Sequence, residues 1–71
     1  MTVVNTTITA RFRTYRQQAE TLNRTGWEKY HAGEDVAADR MWAAEMEYRR
    51  DMSRLLRLMN EDERMSLRQD V

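Results

Sequence analysis

The sequence predicts an all-α fold, an antiparallel hairpin of two long helices that pairs with a second copy as a dimeric four-helix bundle. Three observations carry that expectation. The 71 residues include no Pro and only two Gly, so few points can break a helix, and a mix rich in Ala, Arg, Glu, Gln, Leu and Met favours helix over strand. Ile8, Phe12, Tyr15, Ala19, Leu22 and Gly26 form an unbroken 4-3 stripe, the spacing that gathers apolar side chains on one helix face. After one glycine turn a second stripe of the same kind begins.

The first helix is expected over about 7–31. Thr6 or Thr7 can cap it, because a hydroxyl just before Ile8 accepts from the free amides of the first turn. Trp27 and Tyr30 carry the apolar surface one position out of phase past Gly26. The turn takes 32–35, where Gly33 suits the left-handed position after a helix end. Asp35 is the expected N-cap of a second helix over about 36–59, with acids favoured near its start by the helix dipole. Its stripe is Ala37 or Ala38, Met41, Ala44, Tyr48, Met52, Leu55 with Leu56, and Met59. Each long helix covers about 24 residues, roughly 36 Å at 1.5 Å per residue, and so short a connection places them antiparallel. In the C-terminal segment 60–71, Asn60-Glu61-Asp62-Glu63 has the form of a capping box. Either a short third helix over roughly 61–68 follows, with Met65 and Leu67, or the second helix continues and frays.

Residues 1–71 therefore read as a single helical domain, in a size range where one core rarely suffices without a staple or an oligomer. The chain has no Cys, which excludes a disulfide framework and a thiolate metal site and suits a reducing compartment. Two amphipathic helices leave apolar surface to cover, so the expected interface with a second copy or a partner is Ile8, Phe12, Tyr15, Ala19, Leu22, Met41, Tyr48, Met52, Leu55 and Met59. The start, MTVVNTTITARFR, lacks a basic region followed by an apolar run, and no segment approaches a membrane span. A cytoplasmic location and no membrane contact are the expectations.

Twelve basic and twelve acidic groups cancel, whereas a general polyanion binder carries a positive excess. Their placement is uneven. Residues 1–30 carry +3 and residues 31–48 carry −4, counting five acids against Arg40; residues 49–58 carry +3 and residues 59–71 carry −2. In an antiparallel hairpin Arg11, Arg13 and Arg16 share an end with Arg49, Arg50, Arg54 and Arg57, making a basic pole. Glu28, Glu34, Asp35, Asp39, Glu45 and Glu47 make an acidic pole at the turn. Pairs such as Glu45 with Arg49 or Glu47 with Arg50 suit a solvated helix surface. Antiparallel self-association would match pole to pole. Arg49, Arg50, Arg54 and Arg57 are also candidate phosphate contacts, since Arg forks suit phosphate, which keeps a small nucleic-acid-associated regulator as the alternative.

Glu28 and His31 have the Glu-x-x-His spacing of di-iron carboxylate bundles. Glu45, the only acid near the second stripe, lies too far from their level, so no metal and no cofactor is expected. Nucleophilic catalysis needs a nucleophile, a base and an orienting group together, and Ser53 and Ser66 lie far along from the single His. A non-enzymatic interaction protein is expected. Trp27 and Trp42 should meet near the turn with Tyr30, Met41 and Met46 around them, either capping the core or leaving a Trp and Met patch, with Trp27, Trp42 and Met46 as a partner surface.

Gly26, Gly33, Ala38 and Trp42, within GWEKYHAGEDVAADRMW, resemble the inter-helix turn of a tetratricopeptide repeat. Glu45 stands where that repeat has a small residue, no proline closes the unit and no second copy follows, so a solenoid is not expected. As a whole, with runs such as RMWAAEMEYRRDMSRLLRLM, the chain resembles the small early-region accessory proteins of lambdoid bacteriophages: short, cysteine-free, rich in Arg and Met, and helical. That resemblance implies an early phage protein in the host cytoplasm that binds host or phage proteins to modulate host physiology or phage development.

Overall fold

The computed structural model describes residues 7–69. Within them the fold is a helical hairpin, α1 (Ile8–His31) and α2 (Asp35–Leu58), followed by a short α3 (Glu61–Arg68), with no strand among the described residues. Residues 1–6 and 70–71 of the expected single domain, Thr6 among them, lie outside the described residues.

Thr7 caps α1, its side-chain oxygen accepting from the Ala10 amide at 3.1 Å. The other end closes in a Schellman turn: the Gly33 amide donates to Tyr30 O at 3.0 Å and the Glu34 amide to Lys29 O at 2.9 Å. Gly33 sits at φ 83°, where a Cβ would strain the backbone. Here the expected cap of α2 is corrected. Glu34, not Asp35, stands at the N-cap and makes no side-chain cap bond, while Asp35 is already in the first helical turn. The Schellman turn consumes Glu34 as its last residue, so the helix starts directly after it. Glu34 instead lies 3.8 Å from Lys29 Nζ.

Phe12, Ala19 and Gly26 on α1, and Ala38, Glu45, Met52 and Met59 along and just after α2, are buried, each seven residues from the next. A seven-residue period keeps one row of side chains facing the neighbouring helix. Side-chain volume rises along this seam, from Gly26 and Ala38 near the turn to Phe12, Met52 and Met59 at the open end. A Cβ added to Gly26 would collide with the Trp42 indole, so the glycine is required by close approach.

α3 closes the wide end. Asn60 and Glu63 form the capping box, with Glu63 N donating to Asn60 Oδ1 at 2.9 Å and Asn60 N to Glu63 Oε1 at 2.8 Å. Leu67 joins Phe12, Met52 and Met59 in the core. Arg64 donates through Nε and Nη2 to Leu56 O at 3.2 and 3.0 Å, joining the Met59 amide, which donates to the same carbonyl at 3.3 Å, and so tying α3 to the end of α2. Arg13 Nη2 donates to Ser66 Oγ at 3.1 Å. Asn60→Ala should destabilise the chain by about 1 kcal/mol and release α3, read as lower melting temperature and faster amide exchange over residues 61–68. Unchanged exchange there would show that α3 does not depend on its cap.

Candidate interaction surfaces

The seam divides the hairpin into two broad faces. On one, Ile8, Tyr15 and Leu22 of α1 and Met41, Tyr48 and Leu55 of α2 are half-buried. They repeat every seven residues, three positions on from the seam, so they lie along its flank. Tyr15 and Tyr48 meet across it with ring centroids 5.6 Å apart. Two open depressions border this tyrosine pair, one lined by Ala10, Arg11, Thr14 and Tyr15, the other by Ala44, Glu47, Tyr48 and Asp51.

The expected interface set divides accordingly. Phe12, Ala19, Met52 and Met59 are buried within one chain, so in this hairpin they present no surface to another molecule. Ile8, Tyr15, Leu22, Met41, Tyr48 and Leu55 keep apolar surface open. A 4-3 stripe merges two rows that packing separates, because the helix nearest the first row belongs to the same chain.

The opposite face is polar in its middle. Glu45, expected in a solvated acidic pole, is 8% exposed. Its Oε1 accepts from Asn23 Nδ2 at 3.1 Å and its Oε2 from Arg49 Nε at 2.7 Å. The expected stripe placed Ala44 in this role; Ala44 is on the flank, and Glu45 occupies the seam. The seven-residue step between Ala38 and Met52 is the signal that would have identified it. Burial of a carboxylate is costly without partners, and these two hydrogen bonds compensate it.

Arg49 is thus held by Glu45, and Arg54 lies 3.4 Å from Asp51. Two of the four arginines read as phosphate contacts therefore face carboxylates. Among the described residues Glu47 and Arg50 form no ion pair with each other. Arg16 stands over the Phe12 ring at 5.8 Å.

At the turn end of this face the aromatic side chains assemble as a cluster. Trp27 and Trp42 pack edge to face at 5.1 Å, Trp27 and Tyr30 at 5.6 Å, and Tyr30 and Trp42 lie 6.0 Å apart. His31, read as one half of a metal-binding pair with Glu28, stacks near Trp27 at 5.9 Å and Tyr30 at 5.8 Å. Among the described residues no group of three or more His, Cys, Asp or Glu is placed to hold a metal, and no helix is long and apolar enough to cross a membrane.

No protein-family model, curated protein or solved structure matches this chain.

Glu45→Ala should cost about 1–3 kcal/mol by stranding Asn23 at the seam, whereas a combined Asn23→Leu, Glu45→Leu chain should recover most of that loss. Denaturant midpoints of the three chains decide the point; an equally unstable double variant would deny that the loss comes from an unpaired polar group. Gly26→Ala should lower stability by about 1 kcal/mol or more through overpacking against Trp42 and alter the near-ultraviolet circular dichroism. In a Trp42→Ala background the same change should turn neutral or stabilising, as alanine favours helix. The same cost in both backgrounds would remove Trp42 as the cause.

Proposed function

We propose that this chain is a non-enzymatic helical interaction protein that works as a homodimer, two hairpins completing a four-helix bundle. The observation that carries the reading is the half-buried apolar row of Ile8, Tyr15, Leu22, Met41, Tyr48 and Leu55 on one face. Its residues flank a seam whose buried apolar side chains are few, and two of those are alanines. Covering the row would stabilise the fold at about 25 cal/mol per Å² of apolar surface removed from water, the term a small core lacks. The open depressions beside Tyr15 and Tyr48 would receive side chains of a neighbouring helix in this arrangement. Antiparallel pairing sets the basic end of one hairpin beside the acidic end of the other, which favours that orientation over the parallel one.

In this reading the dimer binds host or phage proteins in the cytoplasm of a bacterium, as an early phage protein that modulates host physiology or phage development. The whole-chain resemblance to lambdoid early-region proteins supports that setting. Pairing of Arg49 and Arg54 with carboxylates favours protein over nucleic acid as the partner.

Sedimentation equilibrium at micromolar concentration should return twice the 8.6 kDa chain mass. Tyr48→Asp should weaken the dimer by about a hundredfold or more, since a charge would be buried without a partner, while Glu20→Lys on the other face leaves it intact. A well-folded wild-type monomer at that concentration sinks the dimer.

A further inference from the structure

The aromatic cluster lies on the face opposite the tyrosine pair, and the dimer leaves it uncovered. Trp27 and Tyr30 expose 47% and 48% of their surface, and Met46, one turn beyond Trp42, exposes 60%. Trp27 meets both other rings edge to face, and Tyr30 and Trp42 lie tilted to each other, so little side-chain freedom remains to be lost on binding. Exposed Trp and Tyr are the residue types that anchor protein interfaces, and Met adapts to an irregular apolar surface.

The rim is acidic. Glu20 lies two turns before Trp27 on the same face of α1, Glu28 follows Trp27, and Asp39 precedes Trp42 by one turn of α2. Residues 27–47 hold six acids against Lys29 and Arg40, a net charge of −4. Lys29 faces Glu34, and Glu45 is occupied by Asn23 and Arg49. Among the described residues Glu20, Glu28, Asp35 and Asp39 enter no ion pair. Arg24, one turn before Trp27, and Arg40, next to Asp39, are the basic residues near the patch in the sequence besides Lys29 and Arg49.

We propose that this patch docks a basic amphipathic helix of a partner protein. Apolar side chains of that helix cover Trp27 and Met46, and its Arg or Lys groups fall between the ring faces and the carboxylates of Glu28 and Asp39. Cations over indole and phenol rings gain from the ring quadrupole, and the acidic rim adds attraction and orientation. The proposal rests on the reading of the chain as an interaction protein and is independent of the dimer.

The test titrates the full chain with two synthetic amphipathic helical peptides that share one apolar face, one bearing Arg and Lys on its polar face and the other Glu. Trp27 and Trp42 fluorescence reports binding. The basic peptide should bind at micromolar concentration and shift the emission, and its affinity should fall about tenfold as salt rises from about 0.05 to about 0.5 M. Trp27→Ala or Tyr30→Ala should weaken it by about tenfold or more. A Glu28→Lys, Asp39→Lys chain, altered only at exposed positions and checked for helicity, should prefer the Glu peptide. Equal affinity for both peptides, or indifference to Trp27→Ala, overturns the proposal. A species larger than a dimer that Trp27→Ala abolishes also overturns it, assigning the patch to another copy of the chain. Tyr48→Asp should keep the peptide affinity. Peptide binding by a monomeric wild type removes the dimer alone, and a dimer blind to the peptide removes the docking site alone.

Discussion

The close approach of α1 and α2 near the turn is the constraint on which the rest of the hairpin depends. Gly26, Ala19 and Ala38 place almost no side chain between the two backbones, and the Trp42 indole occupies the space that a Cβ on Gly26 would need. The Schellman turn at Gly33 delivers the chain into this approach without an intervening loop. Because helix separation follows the size of the contact residues, the seam begins narrow and must take larger side chains toward its open end. Phe12, Met52 and Met59 supply them, and α3 adds Leu67.

A narrow seam has consequences for what lies beside it. Tyr15 and Tyr48 stand three positions on from the seam row, so they meet on its flank and leave apolar surface open. On the other flank the same proximity brings Asn23 within hydrogen-bonding distance of Glu45. A buried carboxylate satisfied at one level is a poor fit at any other, so the contact penalises a slip of one helix along the other. That is the use of buried polar groups best attested in coiled coils, where they select register at some cost in stability.

The two faces are consequently unlike. One carries the half-buried apolar row of Ile8, Tyr15, Leu22, Met41, Tyr48 and Leu55, bordered by Arg11, Glu47 and Asp51. The other is polar in its middle, covered in part by α3 through Arg13 and Ser66, and aromatic at the turn within an acidic rim. The proposed self-association and the proposed partner binding use separate surfaces, so a dimer would present two identical docking sites.

Local features were legible in the residues themselves. The two helices, the Thr7 cap, the left-handed Gly33 and the Asn60 capping box depend on interactions within a few positions of the chain, and periodicity reports them directly. The meeting of Trp27 and Trp42 near the turn was legible for the same reason, being set by the turn. Which row turns inward was not. Ala44 and Glu45 differ by one residue, and hydropathy favours Ala44, yet rotation of α2 against α1 follows from the volumes facing each other across the seam and buries Glu45. Nor could the stripe of Phe12, Ala19, Met52 and Met59 distinguish a seam within one chain from one between chains, because helical periodicity states that a face is covered and not by whose helix. The two long helices, the Thr7 cap and the Gly33 turn follow from contacts within a few residues of the chain and could be read from it alone; which apolar residues close the hairpin and which stay half-exposed on its flank could not, since only packing compares side-chain volumes across the gap.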